Sequence, residues 1–77
     1  MKILTEFRNR EVVHQELYED RIIIVTSAKA NGISPATFST FICNKGFDIL
    51  SNDIRSSQAE SIESLIDLAK TTINQFL

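Results

Sequence analysis

Residues 57–77, SQAESIESLIDLAKTTINQFL, carry a helical hydrophobic period, and nothing before them does. Ile62, Leu65, Ile66, Ala69, Ile73 and Phe76 recur at the spacing of one helix face. Glu60, Glu63, Asp67, Lys70, Thr71 and Asn74 lie off that stripe. Ser57 followed by Glu60 reads as a capping box, in which each side chain satisfies a backbone N–H at the helix start. The acids precede Lys70, the order that suits the helix dipole. Leu68 falls outside the stripe. It is either an ordinary exposed leucine or one edge of a contact surface.

The rest of the chain reads as short strands and turns. Residues 2–7 alternate, with Ile3, Thr5 and Phe7 on one side and Lys2, Leu4 and Glu6 on the other. Arg8-Asn9-Arg10 is a turn. Residues 11–18 form a second strand, with Val13 and Leu17 on one face and Val12 and His14 on the other. Glu19-Asp20 makes a tight connection. Residues 21–27, RIIIVTS, are the strongest strand signal, because the β-branched run 22–25 packs well on a pleated surface and disfavours helix. This strand belongs in the middle of the sheet.

Residues 28–35 are a loop, marked by Asn31-Gly32 and Pro35. Residues 36–43 form a fourth strand, with Phe38, Thr40 and Ile42 on one face. Asn44-Lys45-Gly46 is a hairpin loop with Gly46 at the left-handed position. Phe47 and Ile49 begin a return strand, with Ile54 beyond. Ser51-Asn52-Asp53 breaks it, and Ser56-Ser57 opens the helix. The pattern predicts an α+β domain spanning residues 1–77: a small, meander-like antiparallel sheet of four to five strands packed against one C-terminal amphipathic helix.

A chain of 77 residues buries only about 60–65% of its unfolded surface, so its core is marginal. Cys43 is the lone cysteine, so no disulfide supports the fold, and no Cys/His cluster suggests a metal or other cofactor. Self-association is the remaining common support for a small core. One helix covers one face of a sheet. The other face, with side chains from residues 22–25 and 36–43, is expected to pair in a symmetric homodimer, through that face or an edge strand.

A single unpaired cysteine suggests a reducing compartment. Ile3-Leu4 is too short for the apolar core of a signal peptide, and residues 22–25 are far too few to span a bilayer. The cytoplasm is the expected location.

The net charge of −2 argues against a phosphate-backbone partner. Lys2, Arg8 and Arg10 offer a small basic patch with Phe7 or Tyr18 as stacking platforms for single-stranded nucleic acid, and a nucleic-acid-binding regulator requires Arg8, Arg10, Arg21 and Lys29 to gather on one face. The interleaved Glu6, Glu11, Glu16, Glu19 and Asp20 weaken that reading. Gly32 and Gly46 stand alone and form no phosphate-cradling loop.

His14 is the only histidine, and no metal-ligand partner lies at helix or hairpin spacing from it. A small enzyme using Cys43 needs His14 across the sheet as its base, and no local signature of a catalytic cysteine accompanies the pair. The sequence therefore favours a non-enzymatic protein-interaction or self-association module with no catalytic, cofactor or metal residues. A nucleic-acid-binding regulator using Arg8, Arg10 and Arg21 is the alternative.

Overall fold

The structure is a computed structural model of the chain, and it describes residues 2–27, 37–57 and 61–77. The expected loop at 28–35, with Lys29, Asn31-Gly32 and Pro35, lies outside the described residues, as do Ala36 and Glu60. Five strands, β1 (Glu6–Phe7), β2 (Arg10–Tyr18), β3 (Arg21–Ser27), β4 (Thr37–Cys43) and β5 (Ile49–Ser57), precede one helix, α1 (Ile62–Phe76). The strands form a curled antiparallel meander in the order β1-β2-β3-β4-β5. The α+β expectation is met, and the β-branched run sits in the central strand, where residues 22–26 are fully buried.

The first two hairpins close through two-residue turns. Arg8 and Asn9 have φ of 54° and 63°, and Glu19 and Asp20 have φ of 50° and 62°. Positive φ at both central residues is the type I′ geometry, whose twist matches the flanking strands. Asn and Asp tolerate this region; Arg8 and Glu19 occupy it at a steric cost.

The third hairpin departs from expectation. Phe47, not Gly46, takes the left-handed conformation, with φ of 66°. The Asn44 side chain fixes the loop. Its Oδ1 accepts from the Gly46 N–H at 2.8 Å and the Asp48 N–H at 3.0 Å. A Cβ on Gly46 would stand 3.3 Å from that oxygen, so glycine is favoured here by close approach rather than by φ. The Phe47 ring meanwhile packs on the core, an apolar gain that offsets its strained backbone.

Residues 51–53 do not break β5. The ladder with β4 runs on to Ser57, and the turn-forming residues are absorbed as register shifts between Thr40 and Ile42 and between Ile42 and Cys43. Because the sheet holds Ser57, the helix starts later than expected. Ser61 is its N-cap and accepts from the Ser64 N–H at 3.1 Å; Glu60 of the expected Ser57–Glu60 capping box lies outside the described residues.

Two apolar layers flank the sheet. On one face Ala69 and Ile73 of α1 pack with Ile23 and Ile42, with Tyr18 and Ile54 at the rim, and Leu65 of α1 is buried as well. Ile62 and Ile66 are half-buried. Phe76 shares their stripe but is 78% exposed. The carbonyl of the next residue, Leu77, accepts from Arg21 at the start of β3, so this last turn lies where the sheet ends.

On the other face Ile22, Ile24, Phe41 and Cys43 are buried under Leu4, Phe7, Val12, Phe47 and Ile49. The curled sheet covers these residues itself, so among the described residues the central strands do not present the open apolar face that was expected. The N-terminal segment completes the cover. Gln15 accepts from the Leu4 N–H at 2.8 Å and donates to the Lys2 carbonyl at 2.7 Å, and Phe7 meets Phe41 edge-to-face with centroids 5.2 Å apart. Leu4 and Phe7 thus pack together while Ile3 is exposed, which overturns the simple alternation expected for 2–7.

Candidate functional site

A bulge decides where the histidine points. Val12 pairs with Thr26 but His14 pairs with Val25, so Val13 is the extra residue. Val12 therefore joins the layer of Ile22 and Ile24, while His14 turns to the helix-covered face, which Val25 shares with Ile23. The two were expected on one face, and the bulge separates them.

Beyond the bulge, His14, Glu16 and Tyr18 line the helix-covered face of β2. Lys70 and Asn74, one helical turn apart, meet them from α1. His14 Nε2 lies 2.9 Å from Glu16 Oε1, and Lys70 Nζ lies 3.5 Å from Glu16 Oε2. Lys70 Nζ also stands 5.3 Å from the Tyr18 ring centroid. The Tyr18 hydroxyl lies 3.1 Å from Asn74 Oδ1, to which it donates, and 3.0 Å from Asn74 Nδ2, from which it accepts. Burial alone raises the Glu16 pKa. The hydrogen bond with His14 and the charges of Lys70 and His14 outweigh it and hold the carboxyl below its ordinary value.

Of this group His14 stood out in the sequence as the lone histidine, and Tyr18 only as a stacking platform for nucleic acid. The signal available for the others was alternation 14/16/18 on a strand and the spacing 70/74 on a helix flank. Glu16 and Tyr18 are engaged by Lys70 and Asn74 across the β2–α1 seam, and His14 by Glu16 on its own strand, an arrangement suited to tying the helix to the sheet.

Cys43 lies on the opposite face from His14, paired with Ile22 and Ile49. It is fully buried, and burial together with the nearby Asp48 charge pushes its thiol up to about 11. A thiol so raised supplies little thiolate at neutral pH, and the sheet itself separates it from the imidazole. The fold does not assemble a Cys43–His14 pair.

The arginines are likewise apart. Arg8 is exposed in the β1–β2 turn. Arg10 donates from Nε to Thr26 Oγ1 at 2.9 Å, and Thr26 donates onward to the Ser39 carbonyl at 3.1 Å. Arg21 pairs with Tyr18 at the far end of β2, about 25 Å from Arg10 at the rise of a strand. Its guanidinium donates to the Asp20 and Leu77 carbonyls at 3.4 and 3.0 Å. Lys29 is outside the described residues, so the described arginines form no single basic face. Among the described residues no group of three His, Cys, Asp or Glu side chains is placed to hold a metal ion, and no helix is long and apolar enough to cross a membrane.

The sheet edges provide the other candidate surface. β1 is only two residues long and pairs with Arg10 and Glu11 alone, so most of β2 has no partner strand on its outer side among the described residues; β5, at the opposite edge, spans nine residues. Among the described residues, no strand pairs with the outer edge of β5. Leu68 lies two residues before Lys70, about 160° around the helix from it. Lys70 reaches β2, and α1 packs on β3, β4 and β5, so Leu68 occupies the flank toward β5. It is 51% exposed.

No protein-family model, curated protein or solved structure matches this chain.

Proposed function

We propose that this protein is a non-enzymatic interaction module of the cytoplasm that self-associates through the outer edge of β5. The observation that carries the reading is the nine-residue edge strand β5, which has no partner strand on its outer side among the described residues, beside the exposed Leu68. An unpaired strand edge offers a row of backbone donors and acceptors to a further strand. Because both sheet faces close within the chain, the edge takes the place of the open face as the docking surface.

The separation of Cys43 from His14 supports a non-catalytic role, and the separation of Arg8, Arg10 and Arg21 supports a protein partner over a nucleic acid. A lone, buried cysteine suits a reducing compartment. Light scattering across a concentration series from about 1 to 200 µM tests self-association. The expected mass rises toward twice the 8.7 kDa of one chain. A single-chain mass at every concentration overturns the reading.

A further inference from the structure

We infer that the N-terminal arm, residues 2–7, exchanges between two copies of the chain, each arm covering the other copy's core. This contact lies at the β1 end of the sheet, opposite β5, and stands apart from the β5 reading.

Side chains hold the arm more than its hairpin does. Leu4 and Phe7 pack on the layer of Ile22, Ile24, Phe41 and Cys43, and the Phe7 ring meets Phe41 edge-to-face. The Gln15 amide accepts from the Leu4 N–H and donates to the Lys2 carbonyl, the two contacts a neighbouring strand would make. The connecting hairpin is weak by comparison. β1 pairs through two residues, and one pair sets the exposed Glu6 opposite the exposed Glu11. Like charges directly opposite each other oppose pairing. The turn also holds Arg8 at positive φ, which carries a steric cost outside glycine.

None of the docking contacts requires arm and core to belong to one chain. Opening the turn at Arg8-Asn9 releases the strain at Arg8, and the same contacts re-form on a second copy. A short hinge under strain favours this exchange. The Glu19-Asp20 turn has the same conformation, but it joins β2 to β3, whose residues 22–26 are fully buried, so opening it would dismantle the core. Each chain gives one arm and receives one, so the assembly closes at two. The chain's own arm competes at an effective concentration of order 1 mM, so the exchanged form grows when concentrated protein is refolded.

Cysteines placed across the β1–β2 pair report which chain supplies the arm. Directly opposite residues on antiparallel strands have Cα atoms about 4.5–5.5 Å apart, within disulfide reach. Glu6→Cys and Glu11→Cys, both at exposed positions, are refolded together at about 1 mM and oxidised once Cys43 is buried. The expected product joins position 6 of one chain to position 11 of the other, at least about tenfold above either like-with-like product. Adding Asn9→Pro to both chains is expected to raise its yield, because proline holds φ negative and the closed turn cannot form. Adding Arg8→Asn with Asn9→Gly, the favoured pair for this turn, is expected to lower it at least about tenfold.

Cross-links in statistical proportions, no mixed product, or a yield unmoved by either hinge change each overturn the inference. A wild-type chain that dimerises on concentration without the mixed cross-link keeps its arm to itself and leaves the β5 reading standing. A mixed cross-link with no amide protection gained along β5 establishes the exchange and removes the support for that edge.

Discussion

The two faces of the central sheet are equally dry but are covered in different ways. One lies under a dedicated helix, whose Ala69 and Ile73 meet Ile23 and Ile42 and whose Leu65 is fully buried. The other lies under pieces: Leu4 and Phe7 from the N-terminal segment, Val12 before a bulge, and Phe47 and Ile49 around the third hairpin. A helix puts its apolar residues on one line, so removing one leaves a cavity in a preformed wall. A cover made of separate segments has no such wall. Each piece depends on local polar contacts, such as the Gln15 clamp and the Asn44 loop. The helix-covered face should therefore fail cooperatively and the self-covered face piecemeal.

Truncation at matched depth tests this most strongly. Leu65→Ala removes a fully buried side chain beneath α1 and should cost about 2–5 kcal/mol, against a total stability of about 4–11 kcal/mol for a domain this size. Phe7→Ala removes a half-buried ring and its edge-to-face contact with Phe41. It should cost about 2–3 kcal/mol, below the range for fully buried rings. Denaturant midpoints give both values. Native-state hydrogen exchange should show the Phe7 variant losing protection first at the Leu4 and Val12 amides, with α1 still protected. Equal costs with global opening in both variants would make the two covers equivalent.

The same contrast governs how much of the molecule was legible beforehand. The helix was visible because its contacts follow a 3.6-residue period within one segment. Its start was missed because Ser57 is held by backbone pairing to Thr37, a partner 20 positions away that no local capping signal reveals. The self-covered face was not legible at all. It depends on a bulge at Val13 that resets the alternation, on a left-handed phenylalanine beside an available glycine, and on Gln15 reaching back to Lys2 and Leu4. That is why the sequence suggested an open apolar face where the chain closes one. At the candidate site, His14 stood out by composition. Its partner Glu16 became apparent only once the bulge placed both on the helix side.

Two buried threonines sharpen the comparison at smaller amplitude. Thr26, on the self-covered side, accepts from Arg10 and donates to Ser39. Thr40, under the helix, is equally buried, yet its hydroxyl has no partner among the described residues. Replacing a bonded buried hydroxyl strands its partners, whereas removing an unbonded one relieves a desolvation penalty. Thr26→Val should lose about 1–3 kcal/mol and Thr40→Val should gain about 1 kcal/mol, the latter raising the melting temperature by about 4–8 °C in a domain this size. Destabilisation by Thr40→Val would show that its hydroxyl is satisfied in solution.

The smallest effect concerns the seam between helix and sheet, where Glu16 joins His14 to Lys70. Its carboxyl is held below the ordinary value in the folded chain, so the folded state binds that proton less readily than the unfolded state does. The stabilisation is then fully present above the unfolded glutamate pKa of about 4.3 and is lost as pH falls through the lower folded value. Glu16 is partly solvated, which limits the contribution to about 1 kcal/mol or less. Glu16→Gln should therefore lower stability slightly at pH 6, and the gap between variant and wild type should close as pH is lowered toward 3. Lys70→Met should narrow the same gap, because it removes one of the charges that favour the ionised carboxylate. Chemical denaturation of the three proteins at matched ionic strength reads the effect. A gap that stays constant from pH 6 to 3 would mean that the Glu16 charge does not help hold α1 against β2, leaving the helix anchored by its apolar stripe and the Tyr18–Asn74 hydrogen bond.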